Sequence, residues 1–247
     1  YSSVEHTDTN IMKMLIYTSG TTGLAKGVML TEHNLLSIVH WGLKHTTLRD
    51  VGLSVLPYHH SYEAVAGILP AIHKRITLCI NDSLKRVVRN LALFRPQCMY
   101  AVPALLEVLY RRMNAGIEEK GKTKTIKIAI KLSRFLRAIG IDKRRQIFKE
   151  LHSVLGGRLE KIMVGGAPIR PEIIQFFDDI GILVTNGYGI TECSPLVSVN
   201  TDFINDPKTV GFPMGCVKVR IDVPNEDGEG EICVLGDIVM LGYYKNP

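Results

Sequence analysis

Ile16-Tyr-Thr-Ser-Gly-Thr-Thr-Gly-Leu-Ala-Lys-Gly-Val28 reads as a phosphate cradle. An apolar, strand-like run, Met12-Lys-Met-Leu-Ile-Tyr17, comes before it. After it, Thr31 is placed to cap a helix running through Asn34-Leu-Leu-Ser-Ile-Val39. Between Tyr17 and Gly27 lie five hydroxyls (Tyr17, Thr18, Ser19, Thr21, Thr22), three glycines (Gly20, Gly23, Gly27) and Lys26. Glycines let the backbone approach an anion closely, hydroxyls and free N–H groups donate to it, and Lys26 adds a point charge. A charge-assisted hydrogen bond contributes about 1.5–3 kcal/mol, so three or four hold a triphosphate against water. The spacing G-x-x-x-x-G-K-[ST] does not fit residues 20–27, which sets the loop apart from a Walker A. Composition alone would equally describe a Ser/Thr/Gly-rich surface turn.

Outward from this loop, strand-like and helix-like runs alternate. Residues 32–45 carry Leu35, Leu36, Val39 and Leu43 at helical spacing. Gly52-Leu-Ser-Val-Leu-Pro57, Ile76-Thr-Leu-Cys-Ile80, Cys98-Met-Tyr-Ala-Val102, Ile162-Met-Val164 and Ile182-Leu-Val184 read as short buried strands. Asp82 or Ser83 caps the helix that ends near Pro96, while Pro103 and Pro171 each open a helix. This pattern predicts an α/β fold with a mostly parallel sheet flanked by helices on both faces. Past Pro195 the pattern changes, and residues 217–223 and 231–235 flank a Pro/Gly-rich turn as a hairpin. Residues 1–195 are therefore expected to form an α/β nucleotide-binding subdomain, and 196–247 an incomplete β-rich one. In open α/β sheets, ligands bind beyond the carboxyl ends of the strands. Three such ends carry chemical residues: the cradle, Gly165-Gly-Ala-Pro168 and Asn186-Gly-Tyr-Gly-Ile-Thr-Glu-Cys193. In the last, Tyr188 offers a flat face for a base, Thr191 a hydroxyl for a phosphate and Glu192 a hard oxygen for Mg²⁺. A bare Gly-rich turn into a capped helix has the same composition.

The order of these motifs is more specific than any one of them. Thr18-Ser-Gly-Thr-Thr-Gly-x-x-Lys-Gly27 closely resembles the phosphate loop of the adenylate-forming superfamily, which comprises acyl-CoA synthetases, luciferases and peptide-synthetase adenylation domains. Ala25 departs from that pattern, standing where the family usually has proline. Gly187-Tyr-Gly-Ile-Thr-Glu192 resembles the family's second signature, and Gly165 to Pro168 its adenine- and carboxylate-facing segment. Gly228-Glu-Gly-Glu-Ile232 with Val239-Met-Leu-Gly-Tyr-Tyr244 resembles a later, mainly structural motif. The resemblance thus covers essentially the whole chain. Leu56-Pro-Tyr-His-His-Ser-Tyr-Glu63 resembles the L-P-x-x-H-x-[YF]-E stretch that long-chain members carry beside the acyl pocket, with His60 at the histidine.

The resemblance implies an ATP-dependent, AMP-forming ligase that activates a long-chain fatty acid to acyl-AMP and then acyl-CoA. It implies a nucleotide site of Thr18, Ser19, Gly20, Thr21, Thr22, Gly23, Lys26, Gly166, Ala167, Pro168, Asn186, Gly187, Tyr188, Gly189 and Thr191. Lys26, Thr191 and Glu192 are its catalytic residues, Glu192 its Mg²⁺ ligand, and His60 and Gly165 its acid-binding positions. ATP and Mg²⁺ are the implied cofactors, with coenzyme A as co-substrate. Adenylation of an amino or aryl acid for a carrier protein, and a non-catalytic nucleotide-binding relic, are the alternatives. The family's ribose-binding aspartate, its small C-terminal domain and the start of its large domain have no counterpart here. The expectation is therefore a fragment that needs the rest of its polypeptide and is nearly inactive alone.

Composition bounds the remaining possibilities. Five cysteines with no C-x-x-C fit reduced thiols in a cytoplasmic setting rather than a disulfide framework. The histidines lack zinc spacing, and no apolar run reaches membrane-spanning length. The net charge of +6 is concentrated: residues 122–150 hold ten Lys/Arg and two acidic residues, a net of +8, which leaves −2 elsewhere. That distribution argues against a nucleic-acid partner. Within the basic segment, Ile128, Leu132, Phe135, Leu136 and Ile139 share one helical face. Such a helix suits either peripheral contact with the inner face of an anionic membrane or a solvated position over the core.

Overall fold

The computed structural model describes residues 8–19 and 25–246. Gly20, Thr21, Thr22 and Gly23, and the side chain of Ser19, lie outside the described residues. β1 (Met12–Ser19) and β2 (Ala25–Thr31) are antiparallel, with Thr18 opposite Lys26. The expected order of strand, loop and helix thus misses a strand. Lys26 and Gly27 mask its start, but beyond them Val28 and Leu30 alternate inward onto Ile16.

Thr31 caps α1 (Glu32–His45) as expected: its hydroxyl accepts from the Asn34 amide N–H at 3.0 Å, and the Asn34 side-chain oxygen accepts from the Thr31 N–H at 2.8 Å. This reciprocal pair satisfies two of the helix's otherwise unpaired donors. The buried side of α1 is Asn34, Ile38 and Val39, with Leu35 partly buried, whereas Leu36 is exposed. Leu36 sits about 100° around the helix from Leu35, beyond the stripe that the core covers.

β3 (Val51–Ser54) leads to a π-helical turn, Tyr62–Ile68, that continues into α2 (Leu69–His73). Next come β4 (Thr77–Ile80), α3 (Val87–Phe94) and β5 (Cys98–Ala101). Ser83 rather than Asp82 caps the turn into α3, accepting from the Lys85 N–H, while Asp82 takes Arg86 and Asn90 side chains. Then follow α4 (Pro103–Glu119), α5 (Thr123–Ala138), α6 (Arg144–Ile147) and α7 (Lys149–Val154). β6 (Lys161–Val164), α8 (Pro171–Asp179) and β7 (Leu183–Tyr188) complete the parallel part. Pro103 and Pro171 stand in the first turns of α4 and α8, where the missing N–H costs nothing.

β8 (Ser198–Val199) and β9 (Phe212–Pro213) add to β7 in antiparallel fashion, so the described sheet runs β4-β3-β5-β6-β7-β8-β9. β10 (Val217–Asp222) and β11 (Glu231–Gly236) make the expected hairpin. The chain then returns, and β12 (Gly242–Tyr243) pairs with β2. The fold is the α/β arrangement read from the sequence, with a central, mostly parallel sheet flanked by helices.

Alternation along β6 separates its two faces. Ile162 and Val164 join Leu91, Leu106, Leu109, Ile173 and Phe177 from α3, α4 and α8 in the largest core cluster. Each such large side chain contributes about 1.5–3 kcal/mol on burial. On the opposite face, α1 and the π-helical turn pack through Ile38 and Val65 onto Val197, Val199 and Met214. Lys161 leaves β6 on that side, where its ammonium meets both carboxylate oxygens of Asp202 at 2.6 Å, the Thr46 hydroxyl at 2.9 Å and the Thr47 carbonyl at 2.8 Å. This buried ion pair fastens the end of α1 to the loop after β8.

α5 reverses one expectation. Ile126, Ala129 and Ile130 pack on the core cluster and Ser133 is buried, while Ile128, Leu132, Phe135 and Ile139 face outward. No helix among the described residues is long and apolar enough to cross a membrane, and all five cysteines are free thiols.

Two stability predictions follow from these contacts. Asp202→Ala leaves Lys161 charged and buried, and chemical denaturation should show a loss of about 3–5 kcal/mol, recovered in good part by Lys161→Met/Asp202→Leu. An equal loss in the double variant would show that the pair is not the cause. The second concerns His152, whose Nε2 lies 2.7 Å from the Ile180 carbonyl and whose basicity burial lowers. The unfolded chain then binds a proton that the folded one refuses, so stability is complete above the ordinary histidine value of 6.5 and falls as pH drops below it. Melting temperatures between pH 7.5 and 5 should decline, and His152→Gln should flatten that slope.

Candidate functional site

One cavity of about 420 Å³ collects most of the residues named from the sequence. Thr18, Lys26, His60, Gly165, Gly166, Gly187, Tyr188, Gly189, Thr191 and Glu192 all line it. Ala167 and Pro168 are exposed and stay outside the lining. Asn186 sits behind the wall, its amide donating to the Thr209 carbonyl at 3.2 Å and its own carbonyl accepting from Asn200 N–H at 2.9 Å. That side chain braces the loop at 200–209 and does not face the cavity. Gly20, Thr21, Thr22 and Gly23 fall outside the described residues.

Strand pairing builds the charged end. Opposite each other across the hairpin, Thr18 and Lys26 present neighbouring side chains. β12 lies alongside β2 with Tyr243 opposite Val28, and the Tyr244 N–H donates to the Gly27 carbonyl at 2.7 Å. This pairing sets the Tyr243 ring 5.1 Å below the Lys26 ammonium. The Tyr243 hydroxyl donates to Glu192 Oε1 at 2.8 Å, and this hydrogen bond to the carboxylate raises the phenol's pKa. The Met240 N–H also donates to the Glu192 carbonyl at 2.9 Å. Cation, ring and carboxylate therefore form one connected row. Sequence reading had no local signal for Tyr243, which lies in a segment expected to be mainly structural.

The turn carrying Thr191 and Glu192 leaves β7 through Gly189. A Cβ there would stand 1.6 Å from the Pro195 carbonyl oxygen, so only glycine lets the chain fold back. Residues 191–193 form a 3₁₀ turn with Thr191 buried. Its hydroxyl lies 3.0 Å from that of Ser61, which is fully buried and also lines the cavity. Ser61 is a second site residue that the sequence reading passed over, although it stands beside His60 in a quoted motif.

The segment after β3 forms the opposite wall. His60 Nδ1 accepts from the Tyr62 N–H at 3.1 Å, which leaves the proton of the neutral ring on Nε2. Burial, and then the charge of neighbouring His59, lower the pKa of His60, so the ring is neutral at pH 7. The Tyr62 hydroxyl donates to the Met163 carbonyl at 3.1 Å, and its ring meets Tyr100 edge-on at 5.6 Å. Glu63, buried in the π-helical turn, hydrogen-bonds closely to the Ser54 hydroxyl, and burial raises its pKa. π-helical turns recur at functional sites. Ile38, Leu43, Ala66, Pro70, Val164, Leu196 and Val199 add an apolar share to the lining.

The Glu192 carboxylate fits a hard divalent cation. It keeps Oε2 free of any hydrogen bond with the described residues, and no group of three or more His, Cys, Asp or Glu gathers as a metal cage among them. One carboxylate, with the remaining positions filled by phosphate and water, is the ordinary way to hold Mg²⁺.

Comparison with known proteins gives the family. The family model described as AMP-binding enzyme matches residues 3–244. Long-chain-fatty-acid–CoA ligase FadD15 of Mycobacterium bovis is 31% identical over 251 residues, covering 94% of this chain and 40% of that protein. The peroxisomal long chain acyl-CoA synthetase 6 of Arabidopsis thaliana is 33% identical over 258 residues, 94% of this chain and 36% of that protein. The chain thus spans less than half the length of the curated relatives it matches. Among solved structures, a malonyl-CoA ligase in a ternary product complex with methylmalonyl-CoA and AMP superposes with a TM-score of 0.72 at 22% identity, over 97% of this chain and 46% of that one. With nearly its whole length matched by one family model, this chain belongs to the AMP-binding enzyme family.

Proposed function

We propose that this chain is the nucleotide-binding part of an ATP-dependent acid–CoA ligase acting on a long-chain fatty acid. The observation that carries the reading is one cavity lined both by the connected Lys26, Tyr243 and Glu192 with Thr191 and by apolar side chains such as Leu43, Ala66 and Pro70. A phosphorylated nucleotide suits the charged group and an alkyl chain the apolar side chains. The names of the relatives favour a long chain, while the malonyl-CoA ligase shows that the same fold also serves a short diacid.

In this reading the fatty carboxylate oxygen attacks the α-phosphorus of ATP, and the bond from that phosphorus to the pyrophosphate oxygen breaks. Acyl-AMP and pyrophosphate result. The sulfur of coenzyme A then attacks the acyl carbon, loses its proton, and AMP leaves with the former carboxylate oxygen. Because a carboxylate is a weak nucleophile and the transition state is strongly anionic, alignment and charge stabilisation carry the catalysis. Lys26 supplies positive charge to the phosphates, and Thr191, held by Ser61, turns its hydroxyl toward the α-phosphate. Tyr188 gives a face to adenine. Glu192, steadied by Tyr243, holds Mg²⁺, which when bound neutralises phosphate charge. Neutral His60 and the close-packed Gly165 border the acid.

Pyrophosphate exchange by the full-length protein across a panel of acids tests this reading. Fatty acids of about 12 to 18 carbons should drive exchange best, and Lys26→Ala and Glu192→Ala should each lower it about 10²–10³-fold with unchanged circular dichroism. Faster exchange with amino or aryl acids, or normal exchange in either variant, would refute it. Tyr243→Phe removes the hydrogen bond that orients Glu192. The Mg²⁺ concentration for half-maximal rate should rise several-fold while the rate at saturating Mg²⁺ changes little. A fall in saturated rate at unchanged Mg²⁺ demand would assign the tyrosine another part.

A further inference from the structure

The sixteen residues of α5, TKTIKIAIKLSRFLRA, contain no acidic side chain. One side of the helix is committed to the core through Ile126, Ala129, Ile130 and Ser133. The other side carries large apolar groups where a solvated helix would carry polar ones: Ile128, Leu132, Phe135 and Ile139 are 68%, 51%, 63% and 57% exposed. Their spacing of i, i+4, i+7 and i+11 lines them in one stripe along a helix about 24 Å long. Ile141, just beyond, is also exposed.

The charges sort onto the same outward side. Arg134 is held by Asp179 at 2.6 and 2.7 Å, and Arg137 by Asp178 at 2.6 Å, so these two serve the packing against α8. Lys124, Lys127 and Lys131 form no ion pair with the described residues. At i, i+3 and i+7 they run beside the apolar stripe. An exposed apolar row bordered by a row of unpaired lysines along one helix is the pattern of a helix lying in a lipid interface. The apolar side chains enter the acyl boundary while the lysine stems lie along it and raise their ammonium groups to the phosphates. A protein partner fits less well, because lysine is depleted from protein–protein interfaces.

We infer that the outward face of α5, with Ile128, Leu132, Phe135 and Ile139 inserted and Lys124, Lys127 and Lys131 at the headgroups, docks on an anionic lipid surface. The inference rests on this face alone and holds whatever acid the cavity takes. Sedimentation of the full-length protein with vesicles, without nucleotide or acid, tests it separately from the proposed activity. The probes are phosphatidylcholine alone and phosphatidylcholine with 30% phosphatidylglycerol, at low and high salt. The protein should bind the anionic vesicles and be released by salt. Lys124→Gln/Lys127→Gln/Lys131→Gln should weaken partitioning about fivefold per charge removed. Leu132→Ser/Phe135→Ser should weaken it at both salt concentrations. All five positions are exposed, so circular dichroism and melting temperature should be unchanged. Equal binding to both vesicle types, or unaltered binding by both variants, overturns the inference. So does a dimer in sedimentation velocity that Leu132→Ser/Phe135→Ser dissociates while vesicles go unbound, which would assign the face to a second copy of the chain.

Discussion

Pairing of Gly242 and Tyr243 with Met29 and Val28 is the constraint on which the charged end of the cavity depends. Lys26 belongs to a hairpin near the start of the chain, Glu192 to a turn after the last parallel strand, and Tyr243 to a return strand near the end. None of the three is near another in sequence. The return strand is only two residues long, yet it is fixed on every side. Leu241 and Tyr244 donate to β2 carbonyls, Met240 donates to Glu192, and the Asn34 side chain holds the carbonyls of Asp237 and Val239. That last contact makes the cap of α1 part of the site's framework: the residue that closes the helix N-terminus also anchors the segment that carries Tyr243.

Much of this was legible from residue types. The parallel strands, the capping threonine, the helix-opening prolines and the β10–β11 hairpin all follow from local chemistry that tertiary contacts reinforce. So do the ten predicted site residues that line the cavity, because they lie at or just past strand ends, in the β1–β2 hairpin and beyond β3, β6 and β7. What stayed hidden has physical causes. β2 was missed because its first residues, Ala25, Lys26 and Gly27, serve the hairpin end and carry no alternation. Ala167, Pro168 and Asn186 were assigned to the cavity through motif membership, and a motif does not say which of its residues bear inward and which brace the turn. Tyr243 was hidden because its partners are more than fifty residues away, and no window of sequence contains the row that it completes.

Behind the segment that carries His60 and Ser61 lies a buried polar group that does not itself line the cavity. Ser54, Tyr58 and Glu63 bond around the start of the π-helical turn, with the Ser54 hydroxyl 3.0 Å from that of Tyr58. One serine proton cannot serve both neighbours, so a second must come from Tyr58 or from Glu63. Burial raises the pKa of Glu63, against the hydrogen bond from Ser54. His60, three residues before Glu63, is turned by the Tyr62 N–H and kept neutral by loss of water. In the proposed reading, a neutral His60 suits a site for an anionic acid. A protonated histidine there would hold a carboxylate in the ground state and weaken its attack, whereas a neutral Nε2–H orients it without that cost.

The orientation of α5 follows from a competition that sequence periodicity cannot resolve, because the helix has two apolar faces. Turning it half a revolution would bury Ile128, Leu132, Phe135 and Ile139, a gain of about 1.5–3 kcal/mol each. The same turn would drag Lys124 and Lys131 toward the core and carry Arg134 and Arg137 away from Asp179 and Asp178. The side chain of Asp179 is almost fully buried, and a buried carboxylate deprived of its partner costs about 3–5 kcal/mol. Ala129 and Ser133, being small, also let the helix approach α4 and α8 closely, which Leu132 and Phe135 in their place would prevent. Ion pairing and close approach therefore outweigh the larger apolar area. The apolar stripe stays outside because the fold holds the other face in, and Asp178 and Asp179, the acids at the end of the adjoining α8, are taken by Arg134, Arg137 and Arg144.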